Sequence, residues 1–257
     1  MDLGLADRVY VLTGASRGLG FATAQCLVAD GAKVVISSRD QQKVDDAVAR
    51  LNADASNGHA TGVAADLADP GTAGRLVDTA TSTYGGLDGA LISVGGPPRG
   101  TAASVSDEQW LESFGTVFLG AVRLARTVAG ALTGTGGAIA FVLSSSSRSP
   151  IAELGISNGL RPGLAGVAKD MADELGPRGI RVLSLLPHRI FTDRNRELFA
   201  ATGDPARAQA EAEAAIPLRR LGDPEEFGRV AAFLLSPAAS YLTGLSVPID
   251  GGAVRAL

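Results

Sequence analysis

The run Val9-Tyr10-Val11-Leu12 passes directly into Thr13-Gly14-Ala15-Ser16-Arg17-Gly18-Leu19-Gly20 and then into the segment Gly20–Asp30. The apolar four read as a strand buried on both faces. The segment after the turn carries apolar residues at three- and four-residue spacing, as an amphipathic helix does. Glycines between the two permit a tight turn, let backbone approach a ligand and allow the helix to pack closely on the strand. The helix start then offers unpaired N–H groups and a positive dipole to a pyrophosphate. Glycines also make ordinary turns, but this turn lies between a strand and a helix, which reads it as a nucleotide site.

The same rhythm continues to the end of the chain. Val34–Ile36, Ala90–Val94, Ile139–Leu143 and Val182–Leu186 are apolar runs without polar alternation, and a last short strand falls near Leu245–Ile249. Amphipathic segments lie between them at Gln41–Leu51, Thr72–Tyr84, Asp107–Leu132, Gly163–Leu175 and Pro224–Leu235. A further strand ends before Asp66, with His59 ahead of it and exposed. This alternation predicts an α/β chain: one doubly wound Rossmann domain over residues 1–257, with a mostly parallel seven-stranded sheet and helices on both faces. The long stretch Thr192–Leu221 is irregular, a helical flap over a site or a peripheral insertion.

Composition narrows the classes. Glycine is 33 of 257 residues, nearly twice the usual share of about 7%, yet with no Gly-X-Y period, so collagen-like and low-complexity chains are excluded. One cysteine, Cys26, excludes an internal disulfide and a cysteine zinc site and suits a reducing cytoplasm. Two separated histidines and one cysteine predict no metal site. A net charge of −4 argues against a nucleic-acid surface. No long uncharged apolar run and no leader pattern is seen, so the expectation is a soluble, cytoplasmic protein without membrane contact.

The end of the second strand is where a fold of this kind places an acid when it binds NAD. Here stand Ser37-Ser38-Arg39, with no acid and one permanent cation. Arg17 in the glycine turn lies on the same side. Two guanidiniums suit a 2′-phosphate, so the expected cofactor is NADP(H). Asp66-Leu67 could bracket the adenine, or Asp66 could cap the next helix.

With these residues in place the chain resembles the short-chain dehydrogenases/reductases, in the branch that looks like the 3-oxoacyl-acyl-carrier-protein reductases. The resemblance rests on the turn Thr13–Gly20, Leu87-Asp88, Gly179-Ile180-Arg181-Val182, Pro217-Leu218-Arg219-Arg220-Leu221-Gly222 with Pro224-Glu225-Glu226, Thr243-Gly244 and Asp250-Gly251-Gly252. It implies a cofactor track of Gly14, Ser16, Arg17, Gly18, Leu19, Gly20, Arg39, Asp66, Leu67, Ser93, Gly95, Arg161, Pro187 and Thr192. It also implies a small carbonyl or alcohol substrate and a homotetramer or homodimer, with the helices at Asp107–Leu132 and Gly163–Leu175 packing across the interface or merely covering the sheet. Phe191, Phe199 and the stretch to Leu218 are expected to frame an aliphatic substrate pocket.

The family's catalytic group is a Tyr-x-x-x-Lys pair with a Ser and an Asn. The Tyr acts as general acid/base, its pKa lowered by the Lys. This chain cannot form that pair: four residues after Tyr10, Tyr84 and Tyr241 come Gly14, Asp88 and Leu245. Alignment places Ser144 at the Ser, Ser157 at the Tyr, Arg161 at the Lys and Val117 at the Asn. The family's Asn-Asn-Ala-Gly has become Ser93-Val94-Gly95-Gly96, followed by Pro97-Pro98, and its Pro-Gly has become Pro187-His188. The expected catalytic residues are therefore Ser144 to polarise the carbonyl, Ser157 to assist and Arg161 to hold the ribose. His188 is a further candidate acid and Glu153 a weaker one. The rival reading is a catalytically silent NADP(H)-binding homologue with a structural or sensing role. Ser144 with His188 would suit a hydrolase, but no Gly-x-Ser-x-Gly elbow surrounds Ser144.

Overall fold

In the computed structural model, which describes residues 2–53, 55, 58–132 and 136–255, the strands are β1 (Val9–Thr13), β2 (Lys33–Ser38), β3 (His59–Ala64), β4 (Gly89–Ser93), β5 (Gly137–Val142), β6 (Ile180–Pro187) and β7 (Ser246–Ile249). They form one seven-stranded sheet in the order β3-β2-β1-β4-β5-β6-β7. Every neighbouring pair is parallel. The helices are α1 (Gly18–Ala29), α2 (Gln41–Ala53), α3 (Thr72–Tyr84), α4 (Asp107–Ser113), α5 (Gly120–Ala131), α6 (Gly155–Leu175), α7 (Asp193–Ala200), α8 (Pro205–Ala214) and α9 (Pro224–Leu235). None is long and apolar enough to cross a membrane.

Because successive strand side chains point to opposite faces, strands that are apolar throughout must be covered on both. Tyr10 and Leu12 of β1 belong to a core with α1, α2 and α9, while Val9 and Val11 belong to a second core with α3, α5 and α6. The motif residue Arg181, at the start of β6, secures the first layer. Its guanidinium donates to the carbonyls of Leu234, Leu235, Ser236 and Leu242 at 2.7–3.3 Å, so the C-terminal end of α9, whose last carbonyls have no partner within the helix, is tied to the sheet. Burial pushes the Arg181 pKa down from its usual value.

Three expectations change. The helix expected over Asp107–Leu132 is interrupted: Phe114–Leu119 forms a π-helical segment between α4 and α5, and such segments widen a helix locally, often beside functional sites. The helix expected from Gly163 begins at Gly155 and carries Pro162 within it. In Thr192–Leu221 the helical alternative holds, as α7 and α8. His59 is exposed, but it opens β3 rather than preceding it.

Helices α1 and α9 cross at Gly228, where an added Cβ would meet the Ala22 carbonyl oxygen at 2.6 Å. Gly228→Val is therefore expected to lower the unfolding free energy by about 1–3 kcal/mol, read as a lower urea midpoint. An unchanged midpoint would show that the two helices have room to separate.

Candidate functional site

A cleft of about 880 Å³ opens along the C-terminal edge of the sheet, within the size range of small-molecule and cofactor sites. All of the cofactor-track positions and Ser144, Ser157, Arg161, Val117, Glu153 and His188 line it. They come from widely separated parts of the chain. The parallel register accounts for this: Ser93 pairs with Val142 and Val142 with Leu185, so β4, β5 and β6 end side by side. At the point where strand order reverses, β1 is tied to β4 by Thr13, whose hydroxyl donates to the Ser93 carbonyl at 2.7 Å and accepts the Ser93 amide at 3.0 Å.

The glycine turn has two physical requirements. Gly14 has φ +58°, a left-handed value in which side chains are strained, and an added Cβ would lie 2.9 Å from the Ser93 carbonyl oxygen. At Gly20 an added Cβ would meet the Gly14 carbonyl at 2.7 Å, so only glycine lets α1 start this close to the turn. The residue before α1, Arg17, makes no capping bond from its side chain. It instead forms an exposed ion pair with Glu197 of α7 at 3.4 Å. The first-turn amides of α1 are thus not capped by that side chain and can receive an anion. Asp66 does not cap α3, whose N-cap is Gly71; its carboxylate accepts the Ala68 amide in a local turn.

At the other end of the cleft, Ser144 is half-buried and its hydroxyl oxygen accepts the Ser146 amide at 3.1 Å, which leaves its proton to donate. Ser157, at the start of α6, is buried, with its hydroxyl 3.1 Å from that of Ser146. Arg161, one turn along, is also buried and donates to the Val142 carbonyl at the end of β5 at 2.8 Å. Val117 is buried in the π-helical segment. Glu153 is exposed, with φ +61°, a strained value for a side-chain-bearing residue, and its carbonyl accepts the Gly100 amide. His188 follows β6, and its Nδ1 lies 2.8 Å from the Ser145 hydroxyl. Burial first, and the neighbouring Arg189 second, hold the His188 pKa below the ordinary imidazole value, against an opposing pull from Asp250.

Among the described residues, neither tyrosine nor lysine lines the cleft. Tyr10 is buried in β1 with its hydroxyl 3.4 Å from the Leu235 carbonyl. Tyr84 lies at the end of α3, its pKa pushed up to about 12 by burial. Tyr241 is fully exposed. The expected frame of the substrate end is also corrected. Phe199 turns away from the cleft into a small core with Ala212, Ile216 and Leu221, Phe191 packs against that core beneath Arg196, and Leu218 is largely exposed. The amphipathic α7 buries its Phe199 face against α8 and presents Asn195 and Leu198 to the cleft instead. Sequence reasoning also missed Ser145 and Ser146. Their only signal is the four-serine run, and in a 3₁₀ turn over Ser145–Ser147 consecutive side chains point in different directions.

Comparison with known proteins matches a family model described as enoyl-(acyl carrier protein) reductase over residues 14–254. Bovine dehydrogenase/reductase SDR family member 4 is 35% identical over 255 residues, covering 98% of this chain and 89% of the relative. The chain belongs to the short-chain dehydrogenase/reductase family. Human dehydrogenase/reductase SDR family member 2, mitochondrial, is 32% identical over 252 residues, covering 98% of this chain and 88% of the relative. The crystal structure of L-sorbose reductase from Gluconobacter frateurii, complexed with NADPH and L-sorbose, superposes with a TM-score of 0.94 at 29% identity over 100% of both chains. The short-chain dehydrogenase/reductase fold thus includes the glycine turn and the edge cleft of this chain.

The depressed His188 pKa carries a stability consequence. Below its unfolded value of about 6.5 the unfolded chain binds a proton that the folded one resists, so stability falls as pH drops from about 6.5 towards the folded value. His188→Gln removes that term. The variant is expected to lose less stability than the wild type between about pH 7 and about pH 5, measured by denaturant unfolding at each pH. Equal losses would contradict the assignment.

Proposed function

We propose that the chain is an NADP(H)-dependent oxidoreductase acting on a carbonyl or alcohol, as one domain over its whole length, with an active site built on Ser144, Ser157 and Arg161. The observation that carries this reading is the meeting, in one cleft, of a glycine turn fit for a pyrophosphate with those three side chains and no phenol.

The residues suit the cofactor. Gly14 and Gly20 let backbone come close to it, and the uncapped start of α1 presents amides to its phosphates. Ser38, Arg39 and Arg17 all line the cleft, and two guanidiniums without an acid suit a ribose 2′-phosphate. The exposed Arg17–Glu197 pair is worth at most about 1 kcal/mol, so a dianionic phosphate can displace Glu197. The L-sorbose reductase complex, with NADPH in the same fold, supports this choice. When bound, NADPH supplies the hydride that reduces a carbonyl.

The chain's own groups do the rest. Ser144 donates a hydrogen bond from its hydroxyl to the carbonyl oxygen and so polarises it. Ser157, an aliphatic hydroxyl whose pKa lies far above a phenol's, serves as a hydrogen-bond partner through Ser146 rather than as an acid. Arg161 brings a permanent cation beside the ribose and holds the end of β5 with the same guanidinium. Apolar residues such as Val94, Val117, Ile151 and Leu154 line the substrate end and exclude water. Leu111, Phe114 and Leu119 stay exposed along α4 and the π-helical segment, which fits an assembly of two or four copies, and the single cysteine suits a reducing cytoplasm.

Two measurements test the proposal. Fluorescence titration is expected to show tighter binding of NADPH than of NADH, and Arg39→Ala to weaken NADPH binding by about tenfold, the loss of roughly one charge-assisted contact, with NADH nearly unaffected. Equal loss for both cofactors would remove Arg39 from the 2′-phosphate. NADPH consumption with a panel of aldehydes and vicinal diketones is expected to fall about 10²-fold in Ser144→Ala. Binding of NADPH without turnover of any carbonyl would instead favour the silent homologue.

A further inference from the structure

Removing the phenol leaves reduction without an obvious proton source. The hydroxyls of Ser144 and Ser157 can donate hydrogen bonds but cannot surrender a proton near neutral pH. Of the side chains lining the cleft, His188 is the one whose ordinary pKa lies near neutrality. Its place is set by the fold. It is the first residue after β6, its amide donates to the Ile249 carbonyl of β7 at 3.2 Å, and its ring is held from the β5 side by the Ser145 hydroxyl at 2.8 Å. Ser145 is itself buried, and its backbone carbonyl accepts the Arg148 and Ser149 amides, so the hydroxyl that meets the ring is rigidly placed.

We propose that His188 delivers the proton to the carbonyl oxygen, with Ser145 as the positioning residue that binds Nδ1 and leaves Nε2 to the substrate. This inference rests on the reductase reading above. A hydroxyl suits the task because it both accepts and donates. It accepts Nδ1–H from the imidazolium, and it donates to Nδ1 when the neutral ring carries its proton on Nε2. A carboxylate in its place would hold the ring charged. As the carbonyl carbon takes a hydrogen and two electrons from NADPH, the C=O π pair moves to oxygen. The Nε2–H bond of the imidazolium breaks and the O–H bond of the alcohol forms. His188 is left neutral, with Nδ1–H on Ser145, and a proton from water restores it; NADP⁺ is the oxidised product.

The charges acting on the ring are Arg189, its chain neighbour, and Asp250, beyond β7. The Asp250 carboxylate is engaged by the Gly252 and Val254 amides, and the β5 side presents the neutral Ser145. Burial and Arg189 outweigh Asp250, so His188 titrates on the acid side of ordinary imidazole. Reduction therefore speeds up as pH falls through that value, and alcohol oxidation, which needs the neutral ring, speeds up as pH rises through it.

The test combines NMR of the ring with kinetics. The chain has only two histidines, so His59→Gln, at the opposite edge of the sheet, assigns the His188 signals in the cofactor-free protein. The expected result is that the His188 pKa read by NMR matches the midpoint of the pH profile of kcat for NADPH-dependent reduction of the aldehyde and diketone panel. Ser145→Ala should lower both values together, by removing the acceptor of the imidazolium Nδ1–H. His188→Gln should lower kcat by about 10²-fold or more and flatten the profile, while the NADPH dissociation constant stays within about twofold. Retained turnover in His188→Gln, or a kcat profile that does not follow the NMR titration, overturns this inference alone. A wild type that binds NADPH but reduces no carbonyl overturns it together with the proposed function.

Discussion

All seven strands run in one direction, and every loop that leaves a strand at its C-terminal end opens on the same edge of the sheet. Everything functional in this chain depends on that constraint. Residues from Gly14 to Thr192 meet because β1, β4, β5 and β6 are adjacent and in register, and because the order of strands reverses between β1 and β4. The Thr13–Ser93 pair of hydrogen bonds spans that reversal and keeps the two strand ends from parting, where the two chains of helices diverge to opposite faces.

The edge is rigid because the sheet behind it is covered twice. Alternate side chains of β1 to β6 enter separate cores, so moving any one of those strands would open both. Two arginines extend the same logic to polar groups. Arg181 gathers four carbonyls, three at the C-terminal end of α9 and that of Leu242 beyond it, and Arg161 takes the last carbonyl of β5. In each case a cation, half-buried at Arg181 and buried at Arg161, satisfies backbone acceptors that the helix or strand has left over. Arg161 thereby couples the geometry of the candidate site to the end of the sheet, so its substitution reaches both.

The end of the cleft away from the glycine turn has a chemistry of its own. Among the described residues its lining includes neither tyrosine nor lysine, and small hydroxyls, a guanidinium and an imidazole stand there. The hydroxyls are organised in two short pairs, Ser146 with Ser157 and Ser145 with His188, within one turn of backbone. The π-helical segment at Phe114–Leu119 brings Val117, an apolar side chain, to the wall of the cleft. In the mechanism proposed above, the titratable group lies at the end of β6.

The sequence alone determined the layer plan, the strand–turn–helix at Thr13–Gly20 and the absence of a Tyr-x-x-x-Lys pair, because these depend on local spacing: apolar runs, helical periodicity and residue identity at fixed offsets. It also carried the candidates Ser144, Ser157, Arg161 and His188, each by its offset from a motif. Only the tertiary structure decided which of four consecutive serines meets His188 and which meets Ser157, since a 3₁₀ turn aims neighbouring hydroxyls apart and the partners arrive from β6 and α6. The same holds for α7, whose pattern does not say which face is buried. Phe199 went to a private core with α8, and Asn195 and Leu198 went to the cleft. Contacts between elements distant in the chain leave no period in the sequence, and the serine and histidine end of this cleft is made of them.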